Sequence, residues 1–365
     1  MRMLAKPALA VSLILAGAGV GTAMAADEAK PAAPTGPTLT DVLTASGITA
    51  TGYVDATASF LSTSPAVGKS FDSNTFALNQ ASLTLGYAPM AGFGATVQAV
   101  AGTEAANGCY QAGYGACGGT SSFNLLQAYA QYVSGQTTVY VGKFTTLAGA
   151  EVAAPTGNTN VTRSLLYWFN EPVTHIGARV AYAASDTVTL DLGVNNGWNN
   201  DLSGSAKTYE VGATFAPSKA FTLVAAGYFS SQDVANDKKS LVDLVATYNI
   251  SPAATVILSG DYDSVSFAGG GSAKWYGVAG YFNYAIDDAW RVSVRAEYLD
   301  DKDGFGTTGS TGNGEIKVDE GTVTVGFAPD KHFELRAEGR YDTYKPAAGG
   351  DTKATQLWLQ ALYKF

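Results

Sequence analysis

Apolar and polar residues alternate with a period of two along most of this chain. The last segment, 353–365, states the pattern most compactly. Leu357, Leu359, Ala361, Tyr363 and Phe365 share one parity, and Gln356, Gln360 and Lys364 share the other; Trp358 and Leu362 intrude on the polar side. Period two describes a β-strand with one apolar face and one wetter face. A single such strand fits any half-solvated sheet, so the reading depends on repetition.

The pattern repeats from Ile48 onward. Val54, Ala56, Ala58 and Phe60 oppose Tyr53, Asp55, Thr57 and Ser59, and Ala81, Leu83, Leu85 and Tyr87 oppose Gln80, Ser82 and Thr84. Tight connectors at 88–92, 134–136, 184–186, 216–218, 251–253, 286–288 and 328–330 alternate with longer Gly-, Asn-, Asp- and Ser-rich ones. Several tight connectors carry proline, which cannot donate to a central ladder. Short and long connectors in strict alternation are the periplasmic-turn and extracellular-loop asymmetry of outer-membrane barrels, and a soluble sandwich has no reason for it. The predicted fold is therefore an all-β transmembrane antiparallel barrel of about 16 strands. The expected organisation is a signal peptide at 1–25, a flexible lead-in at 26–46 with room for one helical turn at 38–46, and the barrel at 47–365.

Charge placement sharpens the assignment. Glu334, Arg336, Glu338, Arg340 and Asp342 occupy every second position of one strand, opposite Leu335, Ala337, Gly339 and Tyr341. Arg291, Arg295 and Glu297 share a face of the preceding region, and Asp55, Asp191, Glu210, Asp243, Asp261 and Asp263 also fall on the polar parity. A charge facing lipid at mid-bilayer costs about 2–4 kcal/mol, whereas a lumen charge stays hydrated. These side chains are therefore expected inside, with Asp243, Asp261, Glu297, Glu334 and Glu338 as lumen acids.

The longest connector, about 145–172, contains Glu151, Asn158, Asn160, Arg163, the aromatic run Tyr167-Trp168-Phe169 and Glu171. Insertions of this length are functional or disordered, and the aromatic run argues for packing. Two readings stand: a loop over the rim, or a loop folded into the lumen. In the second, Glu151, Arg163 and Glu171 narrow the pore, with the two glutamates facing a basic wall of Arg179, Arg291, Arg295, Arg336 and Arg340. Lys207, Lys274, Lys317 and Lys353 each begin a strand on the lipid-facing parity. They are placed either for anionic headgroups or as ordinary strand-end lysines.

Composition agrees with this picture. The chain holds 42 Gly, 20 Tyr and 16 Phe, which suits many turns and interfacial belts, and its mean hydropathy of +0.05 reflects apolar and polar faces that cancel. Arg2 and Lys6, an apolar run over 8–20 and Ala23-Met24-Ala25 form an export signal. Its removal would take the net charge from −9 to −11, which argues against nucleic acid. Cys109 and Cys117, in a Gly-rich loop, read as a disulfide closing that loop. His175 and His332 accompany no nucleophile motif or metal-ligand cluster, so neither an enzyme nor a cofactor is expected.

Several motifs resemble the OmpL-like family of β-barrel porins of Gram-negative bacteria. They are Gly52-Tyr53-Val54-Asp55, Phe76-Ala77-Leu78-Asn79-Gln80-Ala81, Gly92-Phe93-Gly94-Ala95, Val141-Gly142-Lys143-Phe144, Thr162-Arg163-Ser164 and Pro172-Val173-Thr174-His175-Ile176-Gly177-Ala178-Arg179. The resemblance lies mainly in the first half and implies diffusion of small hydrophilic solutes or ions across the outer membrane. It assigns no catalytic residue. The expected partners are outer-membrane lipid and lipopolysaccharide, transported solutes, and the barrel-assembly machinery, which would read Tyr363 and Phe365; the porin analogy leaves room for a homotrimer. The competing reading is a plugged barrel that works as an adhesin or anchor through its loops.

Overall fold

The computed structural model describes residues 36–61, 74–105, 122–199, 207–230 and 237–365. The export signal expected at 1–25 and the cysteine pair Cys109 and Cys117 lie outside the described residues. The chain divides into two units, Met1–Val42 and Leu43–Phe365.

A short helix, α1 (Leu39–Ser46), precedes the first strand. The second unit is built from β1 (Thr49–Leu61), β2 (Phe76–Tyr87), β3 (Gly92–Ala101), β4 (Phe123–Ser134) and β5 (Thr137–Thr145). After a connector containing helix α2 (Leu165–Phe169) come β6 (Thr174–Ser185), β7 (Val188–Asn195), β8 (Thr208–Ser218), β9 (Phe221–Ser230) and β10 (Lys238–Ser251). Then follow β11 (Ala254–Ser266), β12 (Ser272–Ala285), β13 (Trp290–Asp301), helix α3 (Phe305–Thr308), β14 (Ile316–Phe327), β15 (Phe333–Pro346) and β16 (Thr352–Lys364). Each strand pairs antiparallel with its sequence neighbours, and β1 pairs with β16, closing a 16-stranded barrel. Closure satisfies every ladder and leaves no edge, the condition for spanning a bilayer with strands.

Alternation in the sequence becomes inside and outside in the barrel. On β15, Leu335 and Tyr341 are 44% and 46% exposed, while Arg336, Glu338 and Arg340 between them, and Asp342 beyond, are buried. Outward residues of other strands behave alike, with Val54, Leu83, Val141, Leu258, Val278 and Leu359 all exposed. Trp358 and Leu362, which break the alternation of β16, obey the geometry: both face inward and are buried. Trp358 has an apolar partner inside the barrel, Val161 of the β5–β6 connector.

At the closing seam the backbones of Gly52 and Phe365 exchange two hydrogen bonds of 3.0 Å. A Cβ on residue 52 would stand 2.4 Å from the Phe365 ring and 2.5 Å from the Ser82 carbonyl oxygen, so only glycine lets the terminal aromatic lie across this strand. Tyr363 and Phe365 are exposed there.

Candidate functional site

The connector 146–173 packs against inward-facing side chains of the barrel, and the sequence supplies a reason at each step. Its base is held by Tyr228, whose hydroxyl accepts a bond from the Leu147 N–H at 2.8 Å. A turn closes where the Asn158 amide accepts from the Val152 N–H at 2.9 Å and donates to the Val152 carbonyl at 2.7 Å. Pro155 begins a short 3-10 turn within it. Ser164 caps α2 by accepting from the Tyr167 N–H at 3.0 Å. The amides at this helix start, which have no partner within the helix, are met by carboxylates: Glu151 accepts from the Ser164 N–H and Glu297 from the Leu165 N–H, both at 2.7 Å. Negative charge is favoured at this end of a helix.

Apolar side chains of α2 then bury themselves inside the barrel. Leu165, Tyr167, Trp168 and Phe169 form a cluster with Trp275, Leu299, Ile316 and Val318, inward residues of β12, β13 and β14. Leu166 packs separately on Ala279 and Tyr281. The Trp275 indole donates to the Phe169 carbonyl at 3.0 Å. An aromatic run is thus fixed against a wall whose upper inward positions are themselves apolar.

Charge holds the rest of the connector. Arg295 is completely buried, pairing with Glu151 at 2.7 Å, Glu297 at 2.8 Å and Glu320 at 3.3 Å. It also donates to the Thr162 carbonyl at 2.7 Å. Arg340 pairs with Asp342 at 2.8 Å and donates to the Arg163 carbonyl at 2.7 Å. Arg336 reaches the Pro155 carbonyl at 3.2 Å and Arg291 the Thr159 carbonyl at 2.8 Å, and both pair with Glu334. Glu338 answers from the same wall, accepting the Val161 N–H at 2.5 Å and the Thr162 N–H at 2.9 Å.

The expected opposition of a basic wall to an acidic loop is therefore corrected. Each wall arginine already has an acid beside it, and its spare donors go to loop carbonyls. Only Glu151 meets an arginine. Glu171 meets Asp243 and Asp261 instead, a cluster of three buried acids. Burial and the Asp243 charge raise the Glu171 carboxyl well above its ordinary range. Arg179 lies apart, forked onto Glu210 at 2.6 and 3.0 Å and stacked over Phe144. Arg163 turns back onto its own loop, donating to the Ala153 carbonyl at 2.8 Å.

Across the barrel the inner wall carries amides and hydroxyls, which the sequence reading did not single out. Gln127 donates to Gln98 at 2.9 Å, Gln98 to Ser82 at 3.1 Å, and the Tyr53 hydroxyl to Gln80 at 2.7 Å. Gln80 also contacts Glu104 at 2.8 Å. Burial pushes the Glu104 carboxyl up to about 7. A cavity of about 440 Å³ lies between Ala154 and Thr156 of the loop and Tyr53, Thr84 and Gln98 of this wall. It reaches Lys331, His332 and Lys364 at the short-connector end. The signal for this wall lies in the polar-parity glutamines Gln80, Gln98 and Gln127, whose uncharged side chains do not by parity alone mark a passage.

The four strand-start lysines lie on the outward parity. Lys274 and Lys353 are exposed, Lys207 donates to Asn196 at 2.7 Å, and Lys317 pairs with Glu315 at 3.2 Å.

Solved structures with the same fold include the outer membrane channel DcaP of Acinetobacter baumannii, with a TM-score of 0.63 and 13% identity over 87% of this chain and 97% of that one. An anion-selective porin from Comamonas acidovorans aligns with a TM-score of 0.61 and 12% identity, over 87% and 99%. Pseudomonas putida OprB aligns with a TM-score of 0.59 and 13% identity, over 89% and 96%. No curated protein sequence matches the chain. A family profile matches residues 47–365, the whole of the barrel, and by that match the chain belongs to the outer-membrane porin family described as "Putative beta-barrel porin-2, OmpL-like".

Proposed function

We propose that this porin passes small hydrophilic solutes between the connector 146–173 and the amide-rich wall of β1–β4, with the arginines of β13–β15 serving to hold the connector in place. The observation that carries this reading is the asymmetry of the interior. On one side the connector is bonded to the wall through Arg291, Arg295, Arg336, Arg340 and Glu338. On the other, Val100 and Leu126 join the α2 cluster and Gln80 donates to the Ala153 carbonyl at 3.1 Å, but beside these contacts a cavity of about 440 Å³ lies between Ala154 and Thr156 and the wall at Tyr53, Thr84 and Gln98. Selectivity in such a passage follows radius and the charges along it. Lys331 and Lys364, which line the cavity, then count for more than the neutralised arginine ladder. No catalytic residue is assigned to this interior.

The same reading extends to partners. The outward lysines fit anionic headgroups of the outer leaflet, as polybasic surfaces do near charged lipid. The exposed aromatic pair Tyr363 and Phe365 on the closing strand suits recognition during assembly. An apolar depression of about 510 Å³ on the outer face of β1, β14, β15 and β16 suits contact with a second copy in a homotrimer.

Planar-bilayer recording tests the central point. Refolded wild-type protein is expected to show discrete conductance steps, and replacing Gln98 and Gln127 by leucine should lower them. Folded protein without steps would point instead to a plugged barrel working through its loops.

A further inference from the structure

The three acids that meet where the connector crosses β10 and β11 have no explanation in solute passage. Asp243 and Asp261 stand directly opposite each other in the β10–β11 register, both on the inward parity. Like charges directly opposite on a sheet destabilise it. Glu171, from the connector, completes the group: one oxygen from each residue lies within 4.8 Å of the others, and all three residues are buried.

A second observation is independent of that clustering. None of the four carboxylate oxygens of Asp243 and Asp261 meets a hydrogen-bond donor in bonding geometry, although the two residues are 0% and 5% exposed; the two carboxylates face each other. The Gly149 amide approaches Asp243 without meeting either oxygen in hydrogen-bonding geometry. Buried carboxylates left in this state are costly unless something positive compensates them. The neighbouring cations are committed elsewhere. Lys239 sits 3.7 Å from Asp263 and over the Trp198 ring at 3.8 Å, and Arg295 serves Glu151, Glu297 and Glu320.

We infer that Glu171, Asp243 and Asp261 form a binding site for one hard divalent cation, Ca²⁺ in preference to Mg²⁺, which pins the connector to the wall of β10 and β11. The ligand set is oxygen only, the preference of hard ions and not of zinc or copper. Two oxygens on opposite sides of a Ca²⁺ ion with bonds of about 2.3–2.6 Å span about the separation seen here, and Ca²⁺ tolerates irregular geometry where Mg²⁺ demands an octahedron. The backbone is shaped to the same end. Gly149 has φ +92°, and a Cβ there would stand 1.9 Å from Glu171 Oε2, so the connector closes directly over this carboxylate. The ligands come from three separate elements, so the ion would cross-link connector and wall whether or not the pore conducts.

The test uses full-length barrel refolded in detergent without lipopolysaccharide, stripped with EDTA and titrated with CaCl₂ in a calorimeter. The expected result is one saturable Ca²⁺ site per chain and a thermal midpoint that rises with Ca²⁺ by mass action. Asp243→Asn with Asp261→Asn should weaken binding by about tenfold or more and remove the Ca²⁺-dependent rise. Should that pair fail to fold, Glu171→Gln removes a ligand from the connector while leaving both strands intact, and the same weakening is expected. Absent saturable binding in wild type, or unchanged affinity in the variants, would overturn the site. No saturable Ca²⁺ binding, together with a stabilisation at pH 5 that Asp243→Asn with Asp261→Asn abolishes, would assign the cluster to shared protons instead.

Discussion

Arg295 shows how a charge can be spent on architecture inside a water-filled barrel. Three carboxylates surround it and the Thr162 carbonyl takes one of its protons. Removing one member of a buried ion network leaves the others uncompensated, at about 3–5 kcal/mol. Arg295→Gln is therefore expected to lower stability by that amount in urea unfolding from lipid vesicles, and a change under 1 kcal/mol would contradict the role given to it. Glu104 offers a pH test. Its folded pKa of about 7 lies above the ordinary carboxylate value of 4.5, so ionising it costs stability progressively between those two pH values. Glu104→Gln should gain thermal stability relative to wild type as pH rises from 5 to 8; a difference flat across that range would refute the assignment. The sequence made these side chains legible as inward-facing, because parity alone decides that. Their partners were not legible. Arg340 meets Asp342 on its own strand but Arg163 across 177 positions, and only the path of the connector sets that contact.

At the scale of elements, the connector 146–173 combines an apolar anchor at α2 with a charged one at its tip. Arg336→Gln with Arg340→Gln deletes bonds to the Pro155 and Arg163 carbonyls. Loss of tether should therefore appear as larger or noisier single-channel steps, more than as a change of ion preference. A pure shift in reversal potential with unaltered step size would return these residues to the passage. Gly52 governs a different junction. Gly52→Ala drives a Cβ into the Phe365 ring and the Ser82 carbonyl, and should reduce the heat-resistant folded fraction seen on semi-native gels. Strands, turns and the long third connector could all be read from periodicity and spacing. Trp358 breaks that pattern because its apolar partner, Val161, lies inside the barrel, and a period-two reading assigns the lumen to water.

For the whole molecule, the closed 16-strand barrel follows from segments that bury polar residues inward and present apolar ones to lipid. The interior is not a uniform ring of charge. The connector is bonded to an arginine–carboxylate ladder along β13–β15, and a cavity lies between its tip and the amides and hydroxyls of β1–β4. The measurement that tests this most directly compares single-channel conductance of wild type with a variant lacking 153–157, under a salt gradient in planar bilayers. The Val152–Asn158 hydrogen bonds place the ends of that segment side by side, so its excision leaves the tethers beyond it in place. Wild type is expected to show discrete steps and the variant larger ones. Equal steps from the two folded proteins would contradict this, because the passage could not then run past the tip of the connector.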